Sequence, residues 1–399
     1  MLFVTLTKMK NYKIFAESIE EEAKRQVEEL SRQEFAKNSK IRIMPDVHAG
    51  KGCVIGTTMT IEDKICPNLV GVDIGCGISV FELGKIEPIN FHKLDKVIRE
   101  NIPSGSAIRK DERISKELKE RLSTLTCANK INLEREYFSC GSLGGGNHFI
   151  EVNKDEIGNI YLAIHSGSRH LGTAVANYHQ RKAIELLTSQ NKAHKELIAK
   201  LKSERREKDI AAELVALPKQ THIPNELAFL SGEHTKNYLH DMTITQSFAS
   251  ENRKIIGEII LEKMNLEAND SWESIHNYVD IENKILRKGA TPAYKGQKVI
   301  IPMNMRDGSL LCIGKGNAEW NFSAPHGAGR LMSRSAARSK LSFDTFKKEM
   351  SGVFSTSVSV CTLDEAPMAY KPMESILRQI KDTVHVTAII KPLYNFKAP

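Results

Sequence analysis

The stretch VGVDIGCGISVFEL, residues 70–83, sets an acidic residue and a cysteine inside an otherwise apolar, β-branched run bracketed by glycines. Runs of this kind, broken by Gly or polar turn residues, read as strands. The same grammar recurs in IRIMPDV (41–47), CVIGTTMTI (53–61), HFIEV (148–152), IYLAIHSG (160–167), KVIIPMNM (298–305), SLLCIG (309–314) and VFSTSVSV (353–360). Between them, FHKLDKVIREN (91–101), ERISKELKERLSTL (112–125), TAVANYHQRKAIELL (173–187) and the long segment 234–264 carry apolar residues at three- and four-residue spacing, which predicts helices. Many strands interspersed with long helices give an α+β chain.

The chain has 399 residues, 41% hydrophobic and 27% charged, enough for a large core in a soluble globular protein. No apolar run reaches the roughly 18 residues of a membrane span, and the N-terminus turns polar before a secretory signal is complete. The cytoplasm is the expected compartment. Seven cysteines, at 53, 66, 76, 127, 140, 312 and 361, are scattered and form no CxxC pair, which argues against a disulfide framework or zinc ribbon. The net charge of +8 favours a polyanionic partner such as nucleic acid without identifying it. The most polar region, about 190–235, reads as a solvated helical insertion ending at Pro218 and a loop. No repeat or linker divides the chain, so residues 1–399 are taken as one domain.

Several polar residues are not explained by strand and turn logic. Asp73, three residues before Cys76, is costly to bury as a charge without a partner or a metal, although a turn Asp beside a small buried Cys would look the same. His148 follows Asn147 after a Gly-rich turn, with Glu151 three residues on. His165 ends a strand before Ser, Gly, Ser168 and Arg169, and His276 lies on a short strand. One carboxylate, one thiolate and three imidazoles suffice for two divalent cations if the sulfur bridges them. Ligand type alone favours zinc or another late first-row metal. In SAPHGAGR (323–330), the glycines around His326 let backbone or ligand approach an imidazole closely.

GSLGGG (141–146) lacks the Lys and Ser/Thr of a phosphate loop, and no dinucleotide-binding fingerprint opens a helix. Arg169, Arg287, Lys288 and Arg330 instead lie beside glycines, where arginine suits bidentate contact with phosphate.

Taken together, PDVHAGKG (45–52), VGVDIGCG (70–77), GGGNHFIEV (144–152), HSGSR (165–169), HNYV (276–279), RKGA (287–290), HGAGRLMSR (326–334) and DEAPMAYK (364–371) resemble the RtcB family of GTP-dependent RNA ligases. The matches run in order over nearly the whole chain. The resemblance implies a single α+β domain with mixed sheets, surrounding helices and a central cleft holding two manganese ions. It implies joining of an RNA 3′-phosphate, or a 2′,3′-cyclic phosphate after hydrolysis, to a 5′-hydroxyl end, in RNA repair or transfer-RNA splicing. The reaction would pass through a covalent histidine–GMP and an RNA end activated by GMP.

By the same resemblance, His326 is the nucleophile and Asp46 orients it. Asp73, Cys76, His148, His165 and His276 are metal ligands. Asn147 and Arg330 hold phosphate, and Glu151, Ser309, Tyr370 and Lys397 contact guanosine. Arg169 binds RNA or phosphate. The KxDG signature of lysine-adenylating ligases does not occur. Two departures stand out. In PMNMRDGS (302–309), Met303 and Arg306 occupy positions where family members commonly carry glycine, which predicts altered ligand approach near Ser309, and His170 replaces a commoner glycine. The residues name neither the physiological RNA nor an accessory protein.

Two other readings of the same residues are a metal-dependent phosphohydrolase acting on cyclic or terminal RNA phosphates, in which the metals activate water, and an RNA-binding protein without catalysis. Phosphate release that persists in His326→Ala marks the hydrolase, and RNA affinity that survives Cys76→Ala marks the binder.

Overall fold

In the computed structural model, which describes residues 10–214 and 223–398, the run 70–83 divides at Gly77. Residues 70–76 are turns, and Gly77–Gly84 is a strand. Its side chains alternate as a pleated strand requires. Ile78 and Val80 enter an inner apolar layer with Phe149, Ala163, Ile300 and Ile390. Phe81 and Leu83 enter the main core with Phe248, Ile256 and Ile260 of the helix Glu233–Met264. Asp73 and Cys76 therefore sit just before a strand that is buried on both faces.

That strand belongs to a seven-stranded antiparallel sheet with the order 298–304, 308–314, 384–397, 149–154, 160–166, 77–84, 270–275. The two edges approach each other, with Ile300 N donating to Ser274 Oγ at 3.1 Å, so the sheet curls around the inner layer. A second sheet has the order 12–14, 41–48, 55–60, 285–288, 277–280. His276 is the one residue between the edge strand Asp270–Ile275 of the first sheet and the edge strand Asn277–Asp280 of the second. The chain changes sheets there, which places an imidazole at the seam. The long helices Arg169–Ser203 and Glu233–Met264 pack on each other, and the second covers strands 77–84 and 160–166.

The α+β class matches the sequence reading, and two of the differences among the strands stand out. VFSTSVSV is not a strand: it makes one bridge, Phe354 to Tyr394, and then enters a 3-10 helix, Val360–Glu365. Its polar groups bond locally instead: Ser355 Oγ accepts from Ser357 N at 3.2 Å and Ser357 O accepts from Thr362 Oγ1 at 2.5 Å, which competes with a ladder. Conversely, no strand is read at Val384–Lys397, the longest in the molecule and third in the large sheet. Pro392 masks it, and the register shifts between Pro392 and Tyr394, the bulge at which a sheet tolerates proline.

Within the region read as an insertion, the first part continues the helix that begins at Arg169, with no break at 190. Pro218 lies outside the described residues. Among those residues, no helix is long and apolar enough to cross a membrane.

Candidate active site and metal centre

The turn at 73–76, the strand end at 165, the loop end at 148 and the seam at 276 bring five ligand residues of three types together. Two groups form, Asp73–Cys76–His148 and Cys76–His165–His276, with Cys76 common to both. Cys76 Sγ lies 3.5 Å from His148 Nε2 and 3.3 Å from His165 Nε2. His148 Nε2 is 3.0 Å from Asp73 Oδ2, and His165 Nε2 is 3.4 Å from His276 Nε2.

Hydrogen bonds on the far side of two rings fix this arrangement. His148 Nδ1 donates to Leu143 O at 2.9 Å, and His165 Nδ1 donates to Asn147 O at 3.1 Å. A carbonyl can only accept, so both rings carry a proton on Nδ1 and turn Nε2 toward Cys76. Burial, with neighbouring positive groups, holds His165 and His276 well below the usual imidazole range and hence neutral, the form that binds metal. Burial also raises the Cys76 thiol, while for Asp73 the bonds from His148, Cys76 and Ser168 outweigh burial and hold the carboxyl low. A buried carboxylate, a sulfur and three imidazoles within touching distance make a donor set that divalent cations would bind. The donor set fits a metal cofactor, with Cys76 common to both groups.

The long helix 233–264 braces the cluster from behind. Asn252 Oδ1 accepts from Gly141 N and Ser142 N, and its Nδ2 donates to Ser166 Oγ and Gly167 O. Arg253, fully buried, donates to Gly75 O and Ser166 O and pairs with Glu273 at 3.0 Å. Gly167 is required for another reason. A Cβ there would lie 2.1 Å from Asp73 Oδ1, so any side chain displaces the carboxylate.

His326 follows a short strand, Ser323–Pro325, that pairs with Ala290–Pro292. Asp46 faces it from the irregular part of strand Ile41–His48, where the register to strand 55–60 shifts. His326 Nδ1 donates to the fully buried Asp46 Oδ2 at 2.6 Å, and the His326 backbone N–H donates to the same oxygen at 3.1 Å. The ring is therefore held with its proton on Nδ1 and its lone pair on Nε2. It lies against the metal groups, its centroid 4.9 Å from that of His276. Gly329 lets Asp46 approach: its φ is +75°, and a Cβ would lie 2.3 Å from Asp46 O.

His326 lines a cavity of about 440 Å3, shared with His165, Asn147, Glu151, Arg330, Tyr370 and Lys397. That volume suits a small-molecule ligand. Asn147 is exposed to it. Glu151 is buried at its floor and accepts from Asn395 Nδ2 at 2.6 Å; burial, against Asn395 and the charge of Lys397, pushes its carboxyl up to about 7. Arg330 lies over the Tyr370 ring, 5.1 Å from its centroid, and donates to Asp364 O at 2.6 Å. Ser309 does not line the cavity. It pairs with Pro302, a wall residue, and its buried hydroxyl has no hydrogen-bond partner.

Other expected phosphate contacts lie elsewhere. Arg287 is fully buried against Ser323 Oγ, Tyr278 and Asp280, and Lys288 donates to Lys51 O and Asn68 O, so both serve the frame. Arg169 begins the helix 169–203 and donates to Ser142 Oγ and Gly105 O, outside the cavity. Met303 lines the wall with a buried side chain, whereas Arg306 turns away to Asp307 and Glu349. His170 bonds Glu136 at 2.8 Å.

A third grouping, Cys127–His179–Asp241, lies apart from the cavity. Asp241 there accepts from Thr126 N, Thr126 Oγ1, Cys127 Sγ and His179 Nε2, and these hydrogen bonds account for its burial without an ion.

The sequence reading missed Asn252, Arg253, Arg334 and Glu365. Glu365 and Arg334 stand inside the quoted motifs DEAPMAYK and HGAGRLMSR, and a buried carboxylate among three cationic side chains is visible only in the fold.

Comparison with known proteins gives the same direction. The family described as tRNA-splicing ligase RtcB matches residues 26–137 and 120–398. The chain is 30% identical over 384 residues to the RNA-splicing ligase RtcB of Escherichia coli K12, covering 87% of each chain. It is 27% identical to the tRNA-splicing ligase RtcB of Aeropyrum pernix, over 84% of this chain and 82% of that one. With the tRNA-splicing ligase RtcB of Thermococcus kodakarensis, identity is 25% over 88% and 86%. With its ligand cluster, its oriented histidine and matches along most of its length, the chain belongs to the RtcB family.

Proposed function

We propose that this protein is an RNA ligase that joins a 3′-phosphate end, or a 2′,3′-cyclic phosphate end after hydrolysis, to a 5′-hydroxyl end, using GTP. The observation that carries this reading is the His326–Asp46 pair set beside the metal groups. A nucleophilic imidazole needs its free nitrogen fixed, and the Nδ1–H bond to Asp46 does that.

In the first step, His326 Nε2 attacks the α-phosphorus of GTP. The N–P bond forms, the bond to the β-phosphate oxygen breaks, and pyrophosphate leaves. The Nδ1 proton stays on the ring, and the Asp46 carboxylate balances the positive charge that develops. An oxygen of the RNA 3′-phosphate next takes GMP from His326, which leaves as a neutral imidazole. The 5′-hydroxyl then loses its proton, attacks the activated RNA phosphorus and displaces GMP, forming the phosphodiester.

Asp73, Cys76, His148, His165 and His276 would hold two manganese ions, which neutralise phosphate oxygens when bound. Asn147 and Arg330 bind phosphate oxygens at the cavity mouth, and Glu151, Tyr370 and Lys397 bind the guanosine. Ser309 acts on guanosine only through a movement of the Pro302 wall. Arg169 braces the loop at Ser142 and meets RNA phosphate from outside the cavity.

Incubation with α-labelled GTP and manganese is expected to leave acid-labile label on the wild type and none on His326→Ala. RNA pairs ending in 3′-phosphate are expected to join only with GTP present, and pairs ending in 3′-hydroxyl not at all. Phosphate release from RNA ends that persists in His326→Ala, without label, would replace the ligase by a hydrolase.

A further inference from the structure

The cavity holds two buried carboxylates in opposite electrostatic situations. Glu365, at the end of the 3-10 helix Val360–Glu365, accepts from Arg334 Nη1 at 2.5 Å and Arg330 Nη1 at 3.3 Å on Oε1. On Oε2 it accepts from Lys397 Nζ at 2.6 Å and Tyr370 OH at 2.7 Å. Four donors fill the lone pairs of one carboxylate, so Glu365 has little left to offer a ligand. Among the described residues, Glu151 has no ion-pair partner and accepts only from Asn395 and, at 3.4 Å, from Asn153.

Strand register shows why this division matters. In the antiparallel pair of strands 384–397 and 149–154, Lys397 stands opposite Phe149 and Asn395 opposite Glu151. All four share one face, which makes Lys397 and Glu151 diagonal neighbours, within the reach of a lysine side chain. A buried ammonium without a counter-charge pairs with the nearest carboxylate. Here it pairs with Glu365 instead.

We propose that Glu365 is a positioning residue for nucleotide selection: by engaging Lys397, it prevents a Lys397–Glu151 ion pair, so that the cavity presents a free acceptor at Glu151 beside a free N–H of Lys397. This pair of groups fits a base edge that carries an N–H donor next to a carbonyl, as guanine and hypoxanthine do and adenine does not. The inference rests on the nucleotide-transfer reading above, to which it adds a residue that acts through its neighbours. The same carboxylate holds Tyr370 and Arg330 in their mutual stack.

The test uses the full-length protein in two assays, label transfer from α-labelled GTP with manganese, and calorimetric titration with GTP, ITP and ATP. For Glu365→Gln, the KM and Kd for GTP are expected to rise about tenfold or more, kcat to change less, and the preference for GTP and ITP over ATP to shrink. Glu365→Asp, which keeps the charge, is expected to recover part of the selectivity. Adding Glu151→Gln to Glu365→Gln should weaken GTP binding far less than Glu151→Gln does alone, because the misdirected ion pair has already removed that acceptor.

Should Glu365→Gln fail to fold, as judged by its unfolding transition, Glu365→Asp and the Glu151→Gln/Glu365→Asp cycle carry the same comparison. The proposal is overturned if a folded variant binds GTP, ITP and ATP as the wild type does, if the two substitutions are additive, or if the wild type itself does not prefer GTP to ATP. A wild type that binds GTP selectively but takes no label refutes the transfer reading and leaves the binding comparison intact.

Discussion

His326 and Asp46 are joined twice, by the ring Nδ1–H at 2.6 Å and by the backbone N–H at 3.1 Å, both to the same carboxylate oxygen. The other oxygen, Oδ1, is buried without a partner. One atom thus fixes the tautomer and the main chain of the proposed nucleophile together. In Asp46→Asn the amide oxygen can take over both bonds, so the variant should fold and keep the tautomer but lose the charge opposite the developing cation. Single-turnover label transfer is expected to slow by about 10²-fold, and by at least a further tenfold in Asp46→Ala. Equal rates in all three proteins would remove Asp46 from the chemistry.

Gly167 tests the metal centre without touching a ligand. In Gly167→Ala the new methyl displaces Asp73, while the buried helices and sheets are unchanged. We expect an unfolding midpoint within a few degrees of the wild type and the loss of at least one of two manganese ions per chain after dialysis, read by elemental analysis. Cys76→Ala, which removes the shared sulfur, should lose both. Retention of two ions by Cys76→Ala would show that the sulfur does not bridge.

Glu151 makes stability depend on pH in a window set by its own proton. Its carboxyl titrates at about 7 in the folded chain, against 4.5 as the ordinary value, chiefly because burial disfavours the charge. The folded state therefore holds this proton more tightly than the unfolded state. The resulting stabilisation is complete below pH 4.5, falls as pH rises, and is gone above about 7, a change of about 3 kcal/mol. Melting profiles between pH 4.5 and 8 should be flatter for Glu151→Gln than for the wild type, and parallel profiles would contradict the assignment.

Arg253 is a stability determinant of the site. Replacing it with Met strands Glu273 and uncaps the carbonyls of Gly75 and Ser166. A loss of about 3–5 kcal/mol in urea unfolding is expected, with weakened manganese binding because both carbonyls flank the ligand turns. A loss below about 1 kcal/mol would mean that the buried pair is not a brace.

Much of this site was legible because its chemistry is written in residue types that strands and turns do not need. Asp73, Cys76, His148, His165 and His276 stood out in apolar or glycine-rich surroundings, and the fold gathers all five. Arg287 and Lys288 looked the same beside Gly289, yet they are buried in the frame, since a basic residue next to glycine has one appearance whether it meets a ligand or a carbonyl. Glu365 and Arg253 were silent because their meaning is relational. A carboxylate becomes a hub only when Arg330, Arg334, Tyr370 and Lys397 arrive from distant segments. The strand at 384–397 was hidden by Pro392, whose bulge is a property of the pairing and not of the segment.

That strand sets an order of assembly. Its Asn395 bonds Glu151 across 244 residues of chain, and Lys397 reaches the cavity from the same strand. During synthesis, the gap between strands 149–154 and 308–314 stays open until the strand emerges, and such long-range pairing forms late and slowly. A ribosome-bound chain can therefore already carry the histidines and the cysteine while still lacking the floor on which, in the proposed reaction, a nucleotide rests. On that reading, reactivity toward nucleotide is deferred until the last pieces of the large sheet are in place.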